Sequence, residues 1–150
     1  MKTIHHVTDM DAETRTVWNA LTTQAGLASW WTTEVSAPEP RIGSIIRFAF
    51  VPGDFNPEMQ ITKLEPPTSL EWKCVGGHAP WADNTFRFEQ VRLDRDRTRL
   101  RFWQDYATEL DDDAYGTYSF NWGYYLESLR LYCDTGQGKP FNPANYRLRV

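Results

Sequence analysis

The sequence has few of the features that mark secreted or membrane proteins. Its 150 residues include only two cysteines, Cys74 and Cys133, too few for a disulfide framework. No run approaches the roughly 18 uninterrupted apolar residues of a membrane span, and no basic segment followed by an apolar one opens the chain. We therefore expect a cytoplasmic protein whose two thiols are reduced and buried.

Positive charge is also scarce. Twenty acidic residues against 16 Lys and Arg give a net charge of −4, so nucleic acid is not an expected partner. Hydrophobic residues make up 41% of the chain and charged residues 24%, the balance of a globular domain and not of a disordered chain. The length fits one domain, 1–150, in which 141–150 forms a C-terminal tail.

Aromatic residues, in contrast, are abundant. Seven Trp, seven Tyr and eight Phe amount to 15% of the chain. So many large rings in a small domain suit either a thick core or a roomy apolar cavity. Composition alone does not choose between them.

Polar and apolar residues alternate through the middle of the chain, and prolines and glycines separate the alternating runs. Strict alternation in consecutive short runs predicts an antiparallel meander that is apolar on one face. The predicted strands cover residues 4–8, 44–51, 58–65, 70–74, 84–93 and 99–106.

Helical spacing occurs at both ends of the chain. It predicts two short helices, Glu13–Thr23 and Gln24–Trp31, with Asp11 capping the first. A longer helix over about Ala114–Thr135 carries one apolar stripe, with three tyrosines at steps of seven beside it. The stripe comprises Trp122, Leu126, Leu129 and Cys133, and the tyrosines are Tyr118, Tyr125 and Tyr132. We predict an α+β fold in which a curved antiparallel sheet wraps around this C-terminal helix.

Motifs for nucleotide binding, nucleophilic catalysis or metal binding are not evident. Gly76-Gly77 has no following Lys-Ser/Thr, as a phosphate-binding loop requires, and no Gly-x-Ser-x-Gly occurs. The neighbours His5 and His6 point to opposite faces of a strand, and nothing nearby supplies further zinc ligands. We assign no catalytic residue, metal or cofactor.

Three polar positions are candidates for contact with a small molecule. His78 lies in a glycine-rich loop and is either a ligand contact or a solvent-exposed turn residue. Gln104 and Tyr106 share the predicted inner face of the last strand, where a polar group orients a ligand unless the strand end is open to solvent. Asp105 and Glu109 form either a carboxylate pair or electrostatic caps of the last helix.

Several segments, in order, resemble one family, the activator-of-heat-shock-ATPase-like branch of the START-like (SRPBCC) superfamily. The resemblance covers about Ile4–Pro140. The segments that carry it are Asp11–Trp18, Ala20-Leu21-Thr22, Leu27 with Trp30-Trp31, Glu65-Pro66-Pro67 with Leu70-Glu71-Trp72, Thr85–Phe88, Thr98–Phe102, and Trp122–Leu126 with Leu129 and Gly136.

The resemblance implies a helix-grip (Bet v-like) fold with a cavity between the sheet and the long helix. Related proteins bind lipids, hormones or polyketides there, and a few are cyclases or dehydratases. Members that stimulate the chaperone ATPase carry an additional N-terminal domain, which is not expected here. The usual Gly-Trp pair of the last helix is replaced by Asn121-Trp122, so Asn121 lies either near the pocket rim or in water.

We predict that the chain binds an apolar or amphipathic small molecule in this cavity. The alternatives are an enzyme of the cyclase or dehydratase type, in which His78 or Asp105 moves a proton, and a module that acts on a chaperone ATPase. Alternation in 142–150 would also let the tail pair along a sheet edge of its own subunit or of a second copy in a homodimer. The predicted ligand-binding residues are Trp31, Phe48, Phe50, Trp72, His78, Trp81, Phe86, Phe88, Phe102, Gln104, Tyr106, Tyr118, Trp122 and Leu126.

Overall fold

A seven-stranded antiparallel sheet is the frame of the molecule, and a long helix packs against its concave face. The computed structural model describes residues 2–50 and 55–143. The elements are β1 (Thr3–Met10), α1 (Thr14–Thr22), α2 (Gln24–Trp30), β2 (Glu34–Ser36), β3 (Ile45–Ala49), β4 (Glu58–Glu65), β5 (Ser69–Gly76), β6 (Thr85–Asp94), β7 (Arg97–Asp105) and α3 (Asp112–Thr135), with a single 3₁₀ turn at Ala79–Trp81.

The strands follow the order β1-β7-β6-β5-β4-β3-β2, and β1 and β2 form the two edges. The run from β2 to β7 is therefore a meander, as the alternation predicted, and β1 adds to its far side. The sequence analysis did not predict β2, because three residues are too few to show alternation. The predicted antiparallel sheet around a long C-terminal helix is confirmed, and the fold is the α+β helix grip.

Alternation along each strand decides which face meets α3. On β7, Leu100, Phe102 and Gln104 are buried, whereas the side chains between them lie on the outer face. From α3, Trp122, Leu126 and Leu129 are buried against this inner face. The core therefore lies between one face of the sheet and one stripe of the helix.

The helix ends differ from the prediction in one respect. Asp11 does not cap α1, because the helix begins at Thr14 and its N-cap residue is Glu13, without a side-chain hydrogen bond. Asp11 instead lies 3.6 Å from Arg97. At α3, Asp111 is the cap: its Oδ1 accepts a hydrogen bond from the backbone N–H of Ala114 at 2.9 Å, which satisfies one free amide of the first turn.

The segment after α3 is bound back to the end of α2. The Ser128 hydroxyl donates to the Trp30 carbonyl at 2.8 Å and accepts from the Lys139 N–H at 2.7 Å. Phe141 then forms a short parallel bridge with Thr32 and is buried. The predicted pairing of the tail falls mostly on 144–150, outside the described residues, and the assignment of 1–150 to one domain stays a prediction.

Both cysteines are free and buried, as predicted. The cytoplasmic location inferred from them stays a prediction. Among the residues that the structure describes, no helix combines the length and apolar character needed to cross a bilayer.

Ser128→Ala is expected to lower the free energy of unfolding by about 1–3 kcal/mol, because it leaves the buried Trp30 carbonyl and the Lys139 amide without their shared partner. Urea denaturation followed by tryptophan fluorescence measures the change. Ser29→Ala is the control, because the Ser29 hydroxyl donates to the Ala25 carbonyl at an exposed site. Equal effects of the two substitutions would contradict this role of Ser128.

Candidate functional site

Aromatic rings fill most of the space between the sheet and α3. Trp31, at the end of α2, lies at the centre of this cluster. Its ring centroid is 4.4 Å from that of Phe48, 5.2 Å from that of Phe50 and 5.1 Å from that of Trp122. These are contact distances for aromatic pairs, so the sheet and the helix are joined ring to ring at this point.

One small gap remains beside this cluster. Its volume is about 20 Å³, enough for about one water molecule and far below the roughly 300–1,000 Å³ of ordinary ligand pockets. This gap is therefore too small for the ligand that the resemblance implies between the sheet and the long helix. The gap is lined by Trp31, Phe55, Trp81, Tyr118, Asn121, Trp122 and Tyr125.

Polar atoms lie beside this gap in an otherwise apolar interior. Gln104 is fully buried, so a strand end open to solvent, the alternative considered for this residue, is wrong. Its Oε1 accepts a hydrogen bond from Trp122 Nε1 at 2.8 Å. Within the described part of the chain, however, Gln104 Nε2, Trp81 Nε1 and the Tyr106 hydroxyl are buried without a hydrogen-bond partner.

The three unpartnered groups lie near one another. Burial raises the pKa of the Tyr106 hydroxyl well above its usual range, and weak hydrogen-bonding contacts with the Trp81 and Gln104 side chains, which fall short of ordinary hydrogen-bond geometry, oppose this effect. The Tyr106 phenol therefore stays protonated at neutral pH. The cluster presents hydrogen-bond donors and no charge.

His78 contacts the lining of the gap from the loop side. It is half-buried, its Nε2 lies 2.9 Å from the Tyr118 hydroxyl, and its ring packs edge-on against Phe55 and Trp81. His78 is therefore not the exposed turn residue that was the alternative for it. Gly77 makes this placement possible, since its φ is +82° and a Cβ there would lie 1.7 Å from the Asn56 carbonyl oxygen.

The structure brings together most of the predicted ligand-binding residues. Four of them line the gap, and eight more contact or lie close to one of those four. The lining residues are Trp31, Trp81, Tyr118 and Trp122; the eight are Phe48, Phe50, Trp72, His78, Phe86, Phe102, Gln104 and Tyr106. Phe88 packs on Trp72 and Phe102, and Leu126 is buried in the core; neither lines the gap.

Sequence reasoning missed two lining residues, Phe55 and Tyr125. Phe55 belongs to no alternating run in the sequence, so no pattern marks it. Tyr125 carries a signal, because it is seven residues from Tyr118 on the same helix face. We expected Asn121 either near the pocket rim or in water, and it lines the gap.

The remaining candidates lie away from the gap. His5 is on the outer face, where its ring stacks on Trp103 at 4.7 Å. Asp105 is also on the outer face, bound to Thr3 at 2.8 Å and to Arg87 at 3.4 Å, so it is not placed to move a proton in the interior. No group of three or more potential metal-ligating side chains occurs in residues 2–50 and 55–143.

Comparison with known proteins identifies the family of this chain. The family model of the activator of Hsp90 ATPase homolog 1-like proteins matches residues 11–134. The chain belongs to this family. No curated protein matches the sequence significantly.

Several solved structures share the fold. The Aha1 dimer from Colwellia psychrerythraea is 29% identical, with a TM-score of 0.81 over 92% of this chain and 100% of that one. DynU16, a putative protein in the dynemicin biosynthetic locus, is 20% identical with a TM-score of 0.74 over 92% of this chain and 49% of its own. Norcoclaurine synthase from Thalictrum flavum, in complex with dopamine and hydroxybenzaldehyde, is 15% identical with a TM-score of 0.55 over 69% and 67% of the two chains.

Tyr106→Phe is expected to leave the free energy of unfolding unchanged or to raise it by up to about 1 kcal/mol, because it removes a buried hydroxyl that has no partner. Tyr118→Phe, in contrast, removes the hydrogen bond to His78 and is expected to lower stability by about 1 kcal/mol. Urea denaturation of both variants checks the contrast. A clear loss of stability in Tyr106→Phe would show that its hydroxyl is already satisfied.

Proposed function

We propose that this protein binds a small, uncharged, aromatic molecule that carries a hydrogen-bond acceptor. The observation that supports the proposal is the group of three buried polar atoms on Trp81, Gln104 and Tyr106, which have no hydrogen-bond partner among the described residues and lie beside the gap in the aromatic cluster. A buried polar group without a partner costs roughly 1–3 kcal/mol. A ligand that supplied the missing partner would recover part of this free energy.

The walls of the gap favour a flat ring. The indole planes of Trp81 and Trp122 are within 16° of parallel, and those of Trp31 and Trp122 within 28°. Aromatic guests gain about 0.5–1.5 kcal/mol from such ring pairs beyond the apolar area that they bury. No lining residue is charged, so an ionised ligand would be desolvated without a counter-ion.

The polar cluster selects the chemistry of the ligand. Trp81 Nε1 and Gln104 Nε2 only donate hydrogen bonds, and the protonated Tyr106 hydroxyl both donates and accepts. The complementary group on the ligand is therefore an acceptor such as a ketone, aldehyde or ether oxygen. A hydrocarbon of the same shape would leave all three atoms without a hydrogen-bond partner.

Entry of such a molecule requires one lining side chain to move, because the gap holds only about one water. Phe55 is the side chain best placed to do so. It lies outside the helices and strands, and its ring contacts Phe50, His78 and Trp81. Displacing it opens the gap without breaking the main sheet.

Two of the structural neighbours are consistent with this proposal. The Thalictrum synthase holds aromatic molecules, dopamine and hydroxybenzaldehyde, on the same fold. DynU16 comes from a biosynthetic locus. These likenesses establish the fold alone, and the chemistry proposed here depends on the residues beside the gap.

The experiment compares two molecules of similar shape, 1-indanone and indane, of which only the first has a carbonyl oxygen. We expect 1-indanone to bind at least tenfold more tightly, as measured by ligand-observed NMR titration. Phe55→Ala is expected to bind both molecules more tightly, because no ring has to be displaced.

The carbonyl preference is the decisive measurement. It should weaken in the double variant Trp81→Phe, Tyr106→Phe, which removes two of the three donors and keeps the Trp122–Gln104 hydrogen bond, and persist in Phe88→Ala, which enlarges the core away from the gap. Equal binding of the two molecules by the unaltered protein and by Phe55→Ala would overturn the proposal, and so would a preference that is undiminished in the double variant.

We also propose that the chain self-associates. The support is its likeness to the Colwellia protein, which is described as a dimer and aligns over its full length. The mass in solution, measured by sedimentation equilibrium between 10 µM and 1 mM, tests this separately from ligand binding.

A further inference from the structure

Among the described residues, no strand pairs with the outer edge of β1. β1 pairs with β7 on one side only. The backbone N–H of Tyr106 donates to the Lys2 carbonyl, so Lys2 is hydrogen-bonded to the β7 side. Because every second residue of an antiparallel strand bonds to the same neighbour, the even-numbered residues of β1 form the backbone hydrogen bonds with β7. The odd-numbered residues therefore direct their backbone groups away from the sheet.

Only the first of these outward groups has a partner among the described residues: the Thr3 carbonyl accepts a hydrogen bond from the Tyr115 hydroxyl at 3.2 Å. His5, Val7 and Asp9 follow, and no described residue pairs with their outward N–H and C=O groups. β1 has eight residues, no proline and no bulge. A long, regular and uncovered edge is a template for another strand.

The exposed side chains of this strand suit a second copy of itself. Val7 is 51% exposed at the middle of β1. The charge of Asp9 is offset within the chain, because Arg99 binds its carboxylate through two hydrogen bonds at 2.7 and 3.0 Å. The usual protection of an edge by an unpaired charge is therefore weak here.

We infer that β1 pairs antiparallel with β1 of a second copy, about a two-fold axis at Val7, which joins two sheets into one. The inference depends on the proposed self-association and gives it a location. In this register Val7 contacts Val7 of the second copy, and His5 lies opposite Asp9. Shifting the register by two residues would separate the two valines and set Val7 against His5 or Asp9.

A groove beside the same strand adds apolar surface to this face. His6 of β1 and residues of α3 line it, among them Ser119 and Gly123, and Phe120 next to them is 66% exposed. An interface formed by strands alone buries little side-chain area. Coverage of Phe120 by the second copy would supply apolar burial in addition to the backbone hydrogen bonds.

The first test uses Val7→Asp, which sets two carboxylates against each other on the two-fold axis. We expect at least a tenfold rise in the dimer dissociation constant, measured by sedimentation equilibrium. Val91→Asp is the matched control, because Val91 is 44% exposed but lies on the inner strand β6. Circular dichroism confirms that both variants are folded.

A crosslink provides an independent test that needs no loss of binding. Val7→Cys should form a disulfide between two copies in oxidised glutathione, and Val91→Cys should not. A dimer that Val7→Asp does not weaken and Val7→Cys does not crosslink would overturn the β1 interface but not self-association. A protein that stays monomeric to 1 mM would overturn both, and the ligand proposal would be unaffected.

Discussion

The contact between Trp122 and the inner face of the sheet is the interaction on which both fold and site depend. The Trp122 ring lies 4.3 Å from that of Phe102 and 5.1 Å from that of Trp31, and its Nε1 donates to Gln104. One side chain thus joins the helix to the sheet by ring packing and by a buried hydrogen bond. Because the same hydrogen bond occupies Gln104 Oε1, it also leaves Gln104 Nε2 facing the polar cluster.

The buried polar atoms oppose the stability that the aromatic cluster provides. Three polar groups are buried in one interior without a hydrogen-bond partner among the described residues, and burial of a polar group without a partner lowers stability by roughly 1–3 kcal/mol. A core selected for packing alone would place apolar residues at Gln104 and Tyr106. Their presence on an otherwise apolar face is the kind of local inconsistency that functional sites show.

How much of the fold and of the site could be predicted depends on the distance along the chain over which each sequence pattern acts. Alternation and helical spacing are local, and they predicted the strands β1 and β3 to β7 and the three helices. Membership of the inner face followed from the same patterns, so Gln104 and Tyr106 were identified. Phe55 was missed because it lies outside the helices and strands, and no local period records its contact with Trp81.

The size of the interior space could not be predicted, for a related physical reason. Alternation states which side chains face inward but not whether rings from two layers meet. Here they do, with centroids 4–6 Å apart, because Trp31 reaches from α2 into the space between Phe48 and Trp122. A helix grip whose second short helix ended in a small residue would have a larger cavity with the same alternation.

Filled packing and ligand binding are compatible when the filling side chain is held by its loop and not by the sheet. Phe55 lies outside the helices and strands, whereas Trp122 belongs to α3 and Trp31 directly follows α2, and each of these two tryptophans contacts more rings than Phe55 does. In the proposed binding mode, the free energy needed to move the Phe55 ring would lower the affinity for an aromatic guest. The donors of Trp81, Gln104 and Tyr106 would determine specificity, because a hydrocarbon guest leaves them without an acceptor. The proposal therefore assigns affinity and specificity to different residues of one site.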